Sequence, residues 1–236
     1  MRRVKKSLSP RDIKSRTEQL PRNRFTLLHY SLFASIVVAL SLKMPDYTYT
    51  DLRPEHSTRL LTLLPSRKYK DPREPIQCQL SAQLKGNHRH YDALSYAWDN
   101  QKPTSSIVII SENVPHDFPV IPNLEEALRQ FRHQEHAITL WIDAICINQA
   151  STMEKSHQVP QMSRIYGEAD TVRIWLGKES SESQRALSFI ERILDFENFD
   201  SLISNRELVS EWASLLWLMK RPWFGRRWVI QEVALA

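Results

Sequence analysis

The chain has 236 residues, 42% of them apolar and 25% charged, with a formal net charge of +5. That length buries one full core without disulfide or metal staples. The charge is concentrated at the start: residues 1–24 hold nine basic side chains against Asp12 and Glu18, so the rest is near neutral and lacks the polybasic surface that nucleic-acid binding uses.

Phe25 to Leu42 contains no Asp, Glu, Lys or Arg. As a helix it would span about 27 Å, marginal for a hydrocarbon core of about 30 Å. Three readings stay open for residues 1–44: a short membrane anchor, a cleavable targeting segment, or a basic tail with an apolar helix lying on the domain or a membrane surface. Lys43 and Pro45 then break the pattern, and a single domain is expected over 45–236.

Within it, 60–64 and 76–80 read as strands bounded by Pro65 and Pro75, as edge or hairpin partners. Residues 91–98 and 106–110 give two more strands. Asn123 is expected to cap a helix, with Glu126 completing a capping box. The nearly continuous apolar run 138–143 predicts a strand buried on both faces. A helix over 152–168 should kink at Pro160. Another strand is expected at 171–176, ended by Gly177, then helices over 182–196 and 206–220 and an amphipathic piece from Trp223 to the end. Alternating helices and strands with short connections predict a parallel sheet, with ligands collecting at the carboxyl ends of its strands.

Cys78 and Cys146 form no C-x-x-C pair, which excludes a Cys-rich zinc site or a disulfide framework and fits a reducing compartment. The four glycines are too scattered for a P-loop or a G-x-G-x-x-G turn. His88-x-His90 and His133-x-x-His136 lack the further ligands that a metal needs, so no metal is expected. Cys146 lies between isoleucines and reads as a core residue rather than a nucleophile. Asp143, at the end of a buried strand, either meets a ligand or caps the next loop. Glu232 follows Trp228 by one helical turn. It either pairs with Arg227 or another base, or stands as a carboxylate in an aromatic pocket suited to a developing positive charge.

Three stretches, YDALSYAWDN at 91–100, LWIDAICINQ at 140–149 and RPWFGRRWVIQEV at 221–233, resemble the fungal heterokaryon-incompatibility (HET) domain. The resemblance spans about residues 47–236. It implies a role in nonself recognition and death of fused cells, with self-assembly and an incompatibility partner protein. HET domains resemble TIR domains, which implies an α/β, TIR/flavodoxin-like, mainly parallel sheet flanked by helices, here with extra N-terminal strands. Some TIR domains hydrolyse NAD, so the resemblance makes NAD a candidate substrate rather than a cofactor. On it, Glu232 would be the cleaving acid, Trp98 or Trp228 would stack on a ring, and Asp143 or Asn148 would shape the cleft. Asp99 stands where many members have glycine, and HET proteins generally continue beyond the last motif. The implied alternative is a non-enzymatic signalling module or an inactive remnant. A cytoplasmic location is expected, or membrane tethering through 25–42.

Overall fold

The computed structural model describes residues 44–236, except positions 54, 55, 68–70, 85, 87, 88, 99, 196, 198, 227, 228, 230, 231 and 233–236 and the side chain of His56. The expectations for residues 1–43, for Asp99 and for Trp228 therefore lie outside the described residues. No helix among the described residues is long and apolar enough to cross a membrane.

Seven strands form one sheet: β1 (His56–Leu63), β2 (Gln77–Leu84), β3 (Asp92–Tyr96), β4 (Ser105–Ser111), β5 (Val114–Val120), β6 (Ile138–Trp141) and β7 (Thr171–Trp175), in the order β5-β4-β2-β1-β6-β3-β7. The expected α/β class is what the chain forms. β6, β3 and β7 run parallel, as do β2 and β4. β1 is antiparallel to both β2 and β6, and β4 to β5. The early strands β1 and β2 are hairpin partners, as their composition suggested, but they lie inside the sheet rather than at its edge.

The helices are α1 (Pro122–Phe131), α2 (Asp143–Cys146), α3 (Thr152–Gln158), α4 (Met162–Gly167), α5 (Ser181–Ile193), α6 (Phe199–Ser204) and α7 (Val209–Met219). The predicted helix at 152–168 breaks at Pro160 as expected: α3 and α4 are separated by a 3-10 turn, Val159–Gln161. Ser151 caps α3 by accepting the Glu154 N–H, and Ser180 with Ser183 forms a capping box on α5. Asn123 does not cap α1. Ile121 holds that position and Pro122 begins the helix, so Asn123 is already inside it. Its amide instead donates to the Ala97 carbonyl at 2.7 Å and accepts the Trp175 indole N–H at 2.8 Å, tying α1 to the ends of β3 and β7.

β5 was not anticipated, because Pro115 and Pro119 argue against a strand. It is an edge strand, where a missing N–H is tolerated. It reverses from β4 at Glu112 and Asn113, whose φ angles of 52° and 64° match a tight hairpin turn.

The main core lies on both faces of the sheet: Leu60, Leu61, Leu94, Ile109, Leu140 and Trp141 are fully buried, in one cluster with Leu124 and Leu128 of α1. A smaller cluster of Phe189, Leu202 and Leu208 holds α5, α6 and α7 together. Gly177 ends β7 at φ 100°, beside the Arg221 guanidinium. Arg221 donates to the Leu176 carbonyl at 2.9 Å and the Lys178 carbonyl at 2.9 Å. Gly177→Ala is expected to cost about 1–3 kcal/mol from backbone strain, read as a lower denaturant midpoint with an unchanged slope.

Candidate functional site

The parallel pair β3–β6 sets the site. Ala93 lies opposite Trp141 in register, and two residues further along come Ser95 and Asp143 at the carboxyl end. Beyond β3 the chain continues through Tyr96 and Ala97 to Trp98. From the far end of the sequence, a 3-10 turn at Pro222–Gly225 brings in Trp223 and Arg226, followed by Glu232.

Glu232 is fully buried and held from two sides. Ser95 donates its hydroxyl to Oε2, and Arg226 grips both oxygens, at 3.0 Å to Oε2 and 2.8 Å to Oε1. Ser95 in turn accepts the Trp223 indole N–H at 2.7 Å. This forms a relay from indole to hydroxyl to carboxylate to guanidinium. A bidentate, charge-assisted pair of this kind is directional as well as strong. It fastens the last motif to the end of β3.

Asp143 is only half-buried. Its Oδ1 accepts the Ala144 N–H at 2.8 Å. Burial pushes its pKa up from 3.8 to about 6; the Ala144 amide and Arg226 oppose the rise, whereas the negative charge of Glu232 adds to it. The folded state thus binds a proton that the unfolded chain has released between about pH 4 and 6, so stability falls as pH rises through that window. Asp143→Asn should flatten that stretch of the curve of melting temperature against pH.

Trp98 is 40% exposed, and its ring stacks on Tyr96 with centroids 6.5 Å apart and 26° between planes. Tyr96 is buried, its pKa raised by desolvation and then by the charge of Asp143, and its hydroxyl has no hydrogen-bond partner. Tyr166 also lies within the field of Asp143 and donates its hydroxyl to the Leu94 carbonyl at 3.2 Å.

A second network supports the loop that follows Asp143. Arg59, on β1, is 3% exposed and pairs with both oxygens of Glu154, one contact being 3.1 Å. It also donates to the carbonyls of Thr50 at 2.6 Å and Cys146 at 3.2 Å, and its guanidinium lies 4.9 Å from the Tyr49 ring centroid. Glu154 accepts the Asn148 N–H at 2.8 Å, and Tyr49 donates to the Ile145 carbonyl at 2.7 Å. Cys146 is buried within this network, its thiol pushed up to about 12 by desolvation, which is the environment of a structural cysteine.

The family model for heterokaryon incompatibility protein (HET) matches residues 91–232, more than half of the chain. The chain belongs to the HET family. It is 30% identical over 223 residues to heterokaryon incompatibility protein 6, OR allele, of Neurospora crassa. The match covers 77% of this chain and 32% of the relative, so the chain spans about a third of the length of that curated protein. No solved structure matches the chain.

The matched HET region begins at β3 and ends at Glu232, so all three recognised motifs supply the site. The first contributes Ser95, Tyr96 and Trp98, the second Asp143, and the third Trp223, Arg226 and Glu232. Asn148 is not drawn into this cluster; its side-chain oxygen accepts the Ala150 N–H at 3.1 Å and shapes the loop. Glu232 does pair with a base, Arg226. Ser95, Tyr96, Trp223, Arg226 and the Arg59–Glu154 pair were not singled out from sequence. The signal that could have found Arg59 was a lone charge immediately before the apolar run 60–64 of β1. Among the described residues no group of three or more His, Cys, Asp or Glu is placed to hold a metal.

Proposed function

We propose that this HET protein acts in fungal heterokaryon incompatibility as a signalling module that works by self-assembly. One observation carries the assembly: α7 leaves Val209, Leu216, Trp217 and Met219 exposed on the outer side of the α5–α7 cluster. Their spacing places an apolar stripe along a helix already packed on its other side by Ser214 and Leu218. Apolar surface of this kind marks association sites, and a second copy of the chain is the proposed occupant. The near-neutral charge of the domain permits like to meet like. Sedimentation of the full chain over a concentration series should show mass increasing with concentration. Leu216→Glu should remain a monomer at every concentration; an unchanged series for that variant would refute the assembly.

A second reading, NAD cleavage with Glu232 as the acid, draws on a different observation. Glu232, Asp143 and Trp98 converge at the carboxyl end of two parallel strands, where ligands collect in such sheets. Purified full chain would be assayed for nicotinamide release from NAD, beside Glu232→Gln. Turnover that disappears in a folded variant supports this reading, and absence of turnover from assembled wild-type protein ends it.

A further inference from the structure

A segment that precedes the family-matched region touches both the β5 edge and the loop of the second motif. Residues 45–50 have no regular structure beyond one parallel bridge, Asp46 to Asp117. The Asp117 N–H donates to the Pro45 carbonyl, and the Tyr47 N–H donates to the Asp117 carbonyl, both at 2.9 Å. Asp117 stands opposite Val108 of β4, whose N–H turns away to the Ile76 carbonyl at 2.8 Å, so the Asp117 main chain faces the open side of β5. Pro115 and Pro119 share that side and have no N–H to offer. The segment therefore takes the donor that this edge presents.

Its other end reaches the Arg59 network. Tyr47 and Tyr49 pack edge-on at 5.2 Å between centroids, each 6.0 Å from Phe118 of β5. Tyr49 also lies against the Arg59 guanidinium and donates its hydroxyl to the Ile145 carbonyl. The Thr50 carbonyl accepts from Arg59, Arg59 holds Glu154, and Glu154 accepts the Asn148 N–H. The attachment is shallow. Tyr47 and Tyr49 are half-buried, whereas Pro45, Asp46, Thr48 and Thr50 are exposed. Against the Tyr47 ring sits His116, whose Nδ1 is buried without a hydrogen-bond partner, a cost that the docked segment carries. An exposed segment held by few contacts opens at low free energy.

We propose that residues 45–50 form a strap with a docked and a released state, and that docking on the β5 edge holds the loop after Asp143 in place. Release withdraws the Thr50 carbonyl and the Tyr49 ring from Arg59 and the Tyr49 hydroxyl from Ile145, so the Glu154 bond to Asn148 loosens with it. The strap lies outside residues 91–232, which match the HET family. It rests on neither assembly nor NAD cleavage.

Hydrogen exchange of the folded full chain tests the coupling from both ends. Asp117→Pro removes the N–H that β5 gives to the strap and none that the β4 ladder uses, so the fold should tolerate it as it does Pro115 and Pro119. Exchange should accelerate about three- to tenfold at the Tyr47 amide and likewise at Asn148, with wild-type rates kept in β7 at the opposite edge of the sheet. Tyr49→Phe keeps the ring and loses the bond to Ile145, and it should accelerate the Tyr47 amide by a similar factor. His116→Phe keeps a ring against Tyr47 and removes the unanswered nitrogen, so exchange at both amides should slow. Faster exchange at Tyr47 with an unchanged Asn148 in Asp117→Pro overturns the proposal, as does no change at either. Should Asp117→Pro loosen β7 as well, Tyr49→Phe decides, and an unchanged Tyr47 amide in that variant refutes the strap.

Discussion

Replacing Arg226 by alanine is expected to destabilise the protein by about 3–5 kcal/mol, because it leaves the Glu232 carboxylate charged and unpaired in the interior. Glu232 has no exposed surface, and the Arg226 side chain is only 17% exposed, so water does not replace the lost partner. In a domain of this size that corresponds to a drop in melting temperature of roughly 10 °C. Ser95 still donates one hydrogen bond, but a neutral hydroxyl does not balance a full charge. Glu232→Gln should behave similarly in reverse, leaving the guanidinium without its counter-charge. Removing both charges together, as Arg226→Met with Glu232→Leu, should recover most of the loss, since an apolar replacement of a buried pair is often neutral. A double-mutant cycle measured by thermal melts decides the matter: additive losses would show that the two side chains do not act as a pair. For the catalytic reading, loss of NAD turnover in Glu232→Gln counts only alongside a melt showing that the variant is folded.

Arg59→Met is expected to cost a similar amount, about 3–5 kcal/mol, through a different set of groups. The methionine keeps the apolar stem but withdraws five donors in a fixed fork. Glu154, 10% exposed, loses its counter-charge, and the carbonyls of Thr50 and Cys146 lose their donor. Glu154 also holds the Asn148 N–H, so the loss should spread to the loop after Asp143. Hydrogen exchange measured at the Asn148 amide should therefore accelerate in Arg59→Met more than exchange in β4 and β5 on the far side of the sheet. Equal acceleration everywhere would mean that Arg59 supports the fold in general rather than this loop.

These two ion pairs mark the limit of what the sequence displays. The β6 run 138–141 is visible because a strand covered on both faces needs apolar side chains throughout, and the break at Pro160 is visible because the ring removes a local hydrogen bond. β5 was hidden by two prolines that would disqualify an interior strand and are harmless at an edge. Asn123 has the chemistry of a helix cap, yet Pro122 starts the helix before it and frees its amide to join Ala97 with Trp175. The same local signal thus served a tertiary contact.

The site shows the same division. Asp143 at a strand end and Glu232 near an indole were both legible as carboxylates of interest, and the motif order marked the family. Which of them faces solvent was not legible, because exposure depends on what packs over the side chain rather than on its neighbours in sequence.

By itself, then, the sequence determined the α/β class, most of the strands and the position of the helix break, since periodicity and proline act within a few residues. Only the tertiary structure decided that β1 lies inside the sheet, that Arg226 and Ser95 enclose Glu232, and that Asp143 is less buried than Glu232. Ser95 and Glu232 are 137 positions apart, and such contacts are fixed by which strands pair and which end of the sheet the last segment reaches.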